Sequence, residues 1–190
     1  MAGNPESRWE LLNIAMLHFQ QYINSKEDRF ALSIVDLLHV SNFKGGNASI
    51  TEPLETLGGK LEIYETKLRA INQAFAGKSL SDLDCEETIA LIAMCDDVSS
   101  LATSKNSKIR GFGPSFSSAL LSAYFPDLIP ILDRRILNGA NIEVTYDSQK
   151  QVKKIATHYG DLIIVCRLEL LNRPTLSLRE LDKEYFVKEL

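Results

Sequence analysis

Three residues invite a chemical reading first: Gly111, Gly113 and Asp133. The glycines lie in Lys108-Ile-Arg-Gly-Phe-Gly-Pro-Ser-Phe-Ser-Ser-Ala-Leu-Leu, and the carboxylate ends Phe125-Pro-Asp-Leu-Ile-Pro-Ile-Leu-Asp. Two glycines flanking one apolar residue let the backbone turn tightly and present its N–H groups at the start of the next helix. Such a concave set of amides binds a phosphate without reading any base. Asp133 has a plainer use as well. It is a good N-cap for Arg134-Arg-Ile-Leu, a role worth about 1 kcal/mol that needs no substrate.

The elements that must position these residues are helical nearly throughout, with no convincing alternation of period two. Trp9, Leu12, Ala15, Met16, Phe19 and Ile23 have helical spacing, and so do Phe30, Ile34, Leu37 and Leu38 after a break at Asn24-Ser25. A turn-rich loop runs from Ser41 to Pro53 with paired glycines, followed by a third helix through Leu61, Tyr64, Leu68, Ile71 and Phe75. Asp82 or Asp84 can cap a fourth helix through Ile89, Leu91, Ile92 and Met94. Helices are predicted over 103–110 and 114–124 on either side of the glycine hairpin. A short one should follow Asp133, others should run near Val152–Tyr159 and Leu162–Leu171, and a last one should begin at Ser177. The expected fold is all-α, a single domain over 1–190 made of two small helical lobes flanking a cleft, with both termini in one lobe.

Composition narrows the classes. The apolar share of 45% and charged share of 24% are those of a folded globular chain. No apolar run reaches the roughly 20 residues of a membrane span, and the N-terminus lacks the basic start and apolar stretch of a secretory signal. Cys85, Cys95 and Cys166 make an odd, irregularly spaced set that argues against a disulfide scaffold. A cytoplasmic, monomeric protein is expected. His18, His39 and His158 have no metal-site spacing, so no metal is expected there. Net charge is −4, but it divides unevenly: residues 1–100 hold 8 Lys+Arg against 15 Asp+Glu, and residues 101–190 hold 13 against 10. The basic excess lies with the hairpin and predicts one basic face on an acidic body.

Hairpin, proline loop and Asp together resemble the helix-hairpin-helix superfamily of DNA base-excision glycosylases, endonuclease III-like and 8-oxoguanine glycosylase-like branches. The likeness covers about 103–139 well and the rest in outline. Ile109-Arg-Gly-Phe-Gly-Pro-Ser stands where those enzymes read Leu-Pro-Gly-Val-Gly and then a key residue. Asp133 lies 18 positions after Ser115, the separation between key residue and catalytic Asp in several members. Bifunctional members place a Schiff-base Lys at the key position. Ser115 cannot serve so, and the resemblance therefore implies a monofunctional glycosylase. It would flip a damaged or modified base out of double-stranded DNA and excise it, leaving an abasic site.

By this resemblance Asp133 is the catalytic carboxylate, stabilising positive charge that develops on the deoxyribose. Arg110, Gly111, Gly113, Ser115, Ser117, Arg134 and Arg135 would contact the DNA. Phe43, Gly45, Asn47, Tyr185 and Phe186 would line the base pocket. A monovalent cation could sit on carbonyls near Gly111 and Gly113. Three cysteines cannot supply the four thiolates of the iron–sulfur cluster that some members carry. A small chain of low overall basicity would suit an abundant target, such as hypermodified cytosine in a phage genome, and so an antiviral defence role beside DNA repair. Two other readings stay open: a non-catalytic helix-hairpin-helix DNA-binding module, and a helical interaction domain in which the hairpin is incidental.

Overall fold

The computed structural model describes residues 4–46 and 49–188. Among them are eight α-helices and no strand longer than an isolated bridge. In chain order they are α1 (Pro5–Ser25), α2 (Ile34–Phe43), α3 (Leu54–Phe75), α4 (Cys85–Leu101), α5 (Pro114–Tyr124), α6 (Arg134–Gly139), α7 (Tyr159–Asn172) and α8 (Leu178–Val187), with 3-10 turns at Leu80–Asp82 and Ile155–His158.

Local chemistry accounts for most of the boundaries. Ser33 and Asp36 form a capping box that starts α2, Asp84 and Glu87 start α4, and Ser177 and Glu180 start α8. Each pair satisfies two backbone donors that a helix otherwise leaves orphaned. Two expectations fail. Residues 103–110 form turns instead of a helix: α4 ends at Leu101, where Thr103 Oγ1 donates to the Ser100 carbonyl (3.1 Å) and Ser107 Oγ to the Leu101 carbonyl (3.0 Å). Hydroxyls at that density compete for the carbonyls a helix needs. Between Val152 and Tyr159 only a 3-10 turn forms, entered through Lys154 at φ +49°. Conversely, α3 runs unbroken through Gly58 and Gly59.

The first and last helices pack on each other, and α8 also packs on α6 and α7. α5 lies against α1, α2 and α4, which makes it the central helix; residues Ser117 to Tyr124 are all buried. The buried apolar side chains form one continuous cluster from Met16 to Tyr185. Burying one Leu or Phe contributes about 1.5–3 kcal/mol, and side chains from all the long helices share this interior.

One buried polar cluster fastens the base of the helices. Asp36, 0% exposed, accepts from Lys26 Nζ (2.9 Å) and from Tyr124 Oη (3.0 Å). The three residues come from the ends of α1, α2 and α5 and orient those helices toward the cleft at their other side. No helix among the described residues is long and apolar enough to cross a membrane.

Candidate active site

The glycine hairpin is held from below. Gly111 has φ +86°, a conformation that L side chains rarely adopt, and a Cβ there would lie 1.9 Å from the Ser49 carbonyl oxygen. The Thr51 amide donates to the Arg110 carbonyl (3.1 Å), and the Arg110 amide donates to Glu52 Oε2 (3.0 Å). Lys60 then bridges Glu52 Oε1 (2.5 Å) and the Lys108 carbonyl (2.7 Å). Hydrogen bonds from Lys60, Thr56 and the Arg110 amide bring the Glu52 carboxyl down to about 2. Glu52 and Lys60 are therefore the anchor of the hairpin.

Gly113 is different in kind. Its φ of −83° is ordinary, and a Cβ would meet nothing within 4 Å. It is the N-cap of α5, with Pro114 next and no side chain capping the helix. The amides of Phe116 and Ser117 donate to the Gly113 carbonyl at 2.9 and 3.0 Å. Those of Gly113 and Ser115 have no protein acceptor among the described residues, which leaves two free donors at the start of α5, where a helix dipole favours negative charge. The carbonyls of Lys108, Ile109, Arg110 and Gly113, near which a monovalent cation could sit, each accept at least one protein hydrogen bond. Ser117 departs from its expected DNA contact. Its side chain is fully buried and its hydroxyl donates to the Pro114 carbonyl (2.9 Å), which steadies the first turn of α5.

Two hydroxyls hold the loop that delivers Asp133. Ser118 Oγ accepts from the Leu132 amide (2.9 Å) and donates to the Ser115 carbonyl (3.0 Å). Tyr159 Oη donates to the Pro130 carbonyl (3.0 Å). Asp133 is the N-cap of α6, with Oδ1 accepting from the Arg135 amide (2.9 Å). Its Oδ2 carries an ion pair with Lys44 that sequence reasoning did not find. The two side chains are 12% (Lys44) and 26% (Asp133) exposed. Burial pushes the Asp133 carboxyl up, but the charge and hydrogen bond of Lys44, the Arg135 amide and Arg134 outweigh it, so it stays below its usual range.

Lys44 is delivered by the end of α2. It is the C-cap, and Gly45 (φ +91°) and Gly46 (φ +70°) turn the chain away after it. The Gly46 amide closes the helix on the Ser41 carbonyl (2.8 Å). Gly45 is therefore a helix terminator, exposed and outside the cleft. Only a signal of the form "helix end, lysine, two glycines" could have pointed to Lys44, and it does not say which carboxylate the lysine meets.

Around this pair lies a cleft of about 310 Å³, at the low end of the roughly 300–1,000 Å³ typical of small-molecule sites. Its walls bring together Ser115 from the start of α5, Asp133, Arg134 and Arg135 from α6, Phe43 and Lys44 from α2, and Phe186 from α8. Trp9, Phe116, Arg179 and Asp182, none of them anticipated, complete the chemistry of the lining, and with Arg8 five cationic side chains face two carboxylates. Arg135 lies over the Phe186 ring at 4.9 Å, and Arg134 donates to the Lys150 carbonyl (2.8 Å).

Other expected pocket residues fall elsewhere. Tyr185 is 8% exposed and belongs to the core; its backbone carbonyl lies where a Cβ on Gly139 would have to go, at 2.1 Å. On an amphipathic α8 the adjacent Phe186 takes the cleft side. Asn47 lies outside the described residues. Arg110 is exposed at the hairpin, apart from the cleft lining. Of the wider basic excess, Arg167 donates to the Leu83 carbonyl (2.9 Å) and Arg173 pairs with Glu184 (2.6 Å), so both serve the fold. Among the described residues no group of three or more His, Cys, Asp or Glu is placed to hold a metal ion. Comparison with family models, curated proteins and solved structures finds no match to this chain.

Proposed function

We propose that the chain is a monofunctional DNA glycosylase that extrudes one damaged or modified base from double-stranded DNA and removes it. One observation carries the reading: Ser115, beside the glycine hairpin, and Asp133, 18 residues later, open onto the same aromatic-walled cleft. The amides of Gly113 and Ser115, with Arg134 and Arg135 nearby, suit the phosphates flanking an extruded nucleotide. Phe116 and Phe186, both partly exposed, suit the faces of the base, and the buried Phe43 backs the same wall.

The chemistry follows from the carboxylate. As the N-glycosidic bond lengthens, positive charge develops on the deoxyribose, and a carboxylate kept ionised beside it stabilises that charge. Lys44 holds Asp133 ionised before substrate arrives. A sugar that displaces Lys44 meets the carboxylate without its counter-ion at the moment positive charge develops. An excess of five cationic side chains over two carboxylates supports a polyanionic substrate.

The test is excision from labelled duplexes carrying 8-oxoguanine, uracil, alkylated purines, and hydroxymethylated and glucosylated cytosine, with and without hot alkali. Alkali-dependent cleavage by the parent, lost in Asp133→Asn, is the expected result. Alkali-independent cleavage trapped by borohydride, and lost in Lys44→Met, would make the enzyme bifunctional. Salt-sensitive binding without excision would reduce it to a DNA-binding module. Preference for glucosylated cytosine over host-type lesions would support the defence role over repair.

A further inference from the structure

The inner wall of the cleft carries two polar atoms that the protein leaves unsatisfied. Trp9 is 8% and Asp182 6% exposed, and both line the cleft. Trp9 Nε1 and Asp182 Oδ1 are buried with no hydrogen-bond partner among the described residues. Burial pushes the Asp182 carboxyl up; Arg179, Lys44 and the neighbouring indole N–H act against it, although the indole and Oδ1 fall outside hydrogen-bond geometry with each other. Buried polar groups are nearly always paired, and leaving one unpaired carries its full desolvation cost. Two such atoms at the wall of one cleft, one donor and one acceptor, point to a ligand that supplies the reverse pair.

The orientation of both groups is set by the protein itself. Asp182 Oδ2 is ion-paired with Arg179. Arg179 in turn donates to Asn13 Oδ1 (2.9 Å) and lies over the Trp9 ring at 4.7 Å. α1 and α8 thereby fix the carboxylate with Oδ1 uncommitted. The charges facing it are Arg179 on its own helix, Lys44 from the end of α2 and Asp133 from the head of α6. Cys166 on α7 also feels the carboxylate.

An indole nitrogen only donates, and an ionised carboxylate only accepts. Cytosine and adenine present the complement, an exocyclic amine beside a ring nitrogen acceptor. Uracil, thymine and hypoxanthine present a carbonyl beside a ring N–H, so each group facing the protein is reversed. We propose that Asp182 and Trp9 select the extruded base by its exocyclic amine, so that the site takes aminated bases of the cytosine or adenine class and refuses their keto counterparts. This rests on the glycosylase reading and narrows its substrate.

Trp9 is the one tryptophan of the chain, so its fluorescence reports the site. The intact protein is titrated with deoxynucleosides differing only in amine against carbonyl: 5-hydroxymethyldeoxycytidine against 5-hydroxymethyldeoxyuridine, and deoxyadenosine against deoxyinosine. Duplexes carrying the same bases are assayed for excision in parallel. The amino member of at least one pair should change the emission, and be excised, at about tenfold lower concentration or more than its keto partner. Asp182→Asn can turn an N–H toward a carbonyl, and should shrink or reverse that preference while retaining the parent's circular dichroism. If it fails to fold, Trp9→Phe read by excision alone carries the same expectation.

Equal response to amine and carbonyl in the parent, or an unchanged preference in folded Asp182→Asn, would overturn the selection while excision still upheld the glycosylase. Amine-selective fluorescence without excision would keep the selecting pair and remove the glycosylase. No emission change and no excision with any probe would remove both.

Discussion

Replacing Asp133 by Asn separates its two duties. Asn caps a helix about as well as Asp, so the hydrogen bond to the Arg135 amide survives and only the charge is lost. What remains is Lys44, 12% exposed, without its counter-ion. Breaking a fully buried pair from one side costs about 3–5 kcal/mol, and exposed pairs are worth about 0.2–1. With the carboxylate side chain 26% exposed, the pair falls between these limits, and a coupling of about 2 kcal/mol is expected. The assay is a double-mutant cycle of Asp133→Asn, Lys44→Met and the double variant by urea unfolding at pH 7. Because the folded carboxyl lies below its unfolded value, its contribution is present above about pH 4 and lost as pH falls through the folded pKa. The gap between parent and Asp133→Asn should close over that range. A coupling below about 0.5 kcal/mol, or a gap independent of pH down to 2, would refute the view that Lys44 holds this carboxylate ionised.

Gly111→Ala should cost on the order of 3 kcal/mol, from left-handed backbone strain and collision with the Ser49 carbonyl, whereas Gly113→Ala should stay within about 1; equal unfolding midpoints would contradict the hairpin geometry. Glu52→Gln should lower stability and speed hydrogen exchange at the Arg110 amide, and unchanged protection there would show that the carboxylate does not anchor the hairpin. A thiol reagent should titrate one cysteine in the native protein and three in denaturant, since Cys85 is exposed while burial pushes the Cys95 and Cys166 thiols up; fast labelling of two or more would place one of the buried pair at the surface.

Some of this protein was legible residue by residue. Helical periodicity marks most of the helices, and α5 begins at the proline that follows Gly113, because proline at the first helical position needs no N–H partner. Asp133 reads as an N-cap for the same reason: capping joins residues two apart and needs no knowledge of the rest of the chain. Even local reading fails where two local preferences compete. Over 103–110 the serine and threonine hydroxyls take carbonyls that helical spacing would assign to the backbone.

What tertiary structure alone decided is the company each group keeps. Lys44 and Asp133 are 89 residues apart, and Glu52 and Arg110 are 58 apart. Trp9 and Asp182 come from the first and last helices, and all three pairs depend on how helices pack. Nothing in the order of residues distinguishes a lysine that meets a carboxylate from one that meets water, or Phe186 in the cleft from Tyr185 in the core. Periodicity records which residues are apolar and which share a helix face. Which face of one helix meets which face of another is set by the fit of the whole interior, and there the cleft acquires its charges.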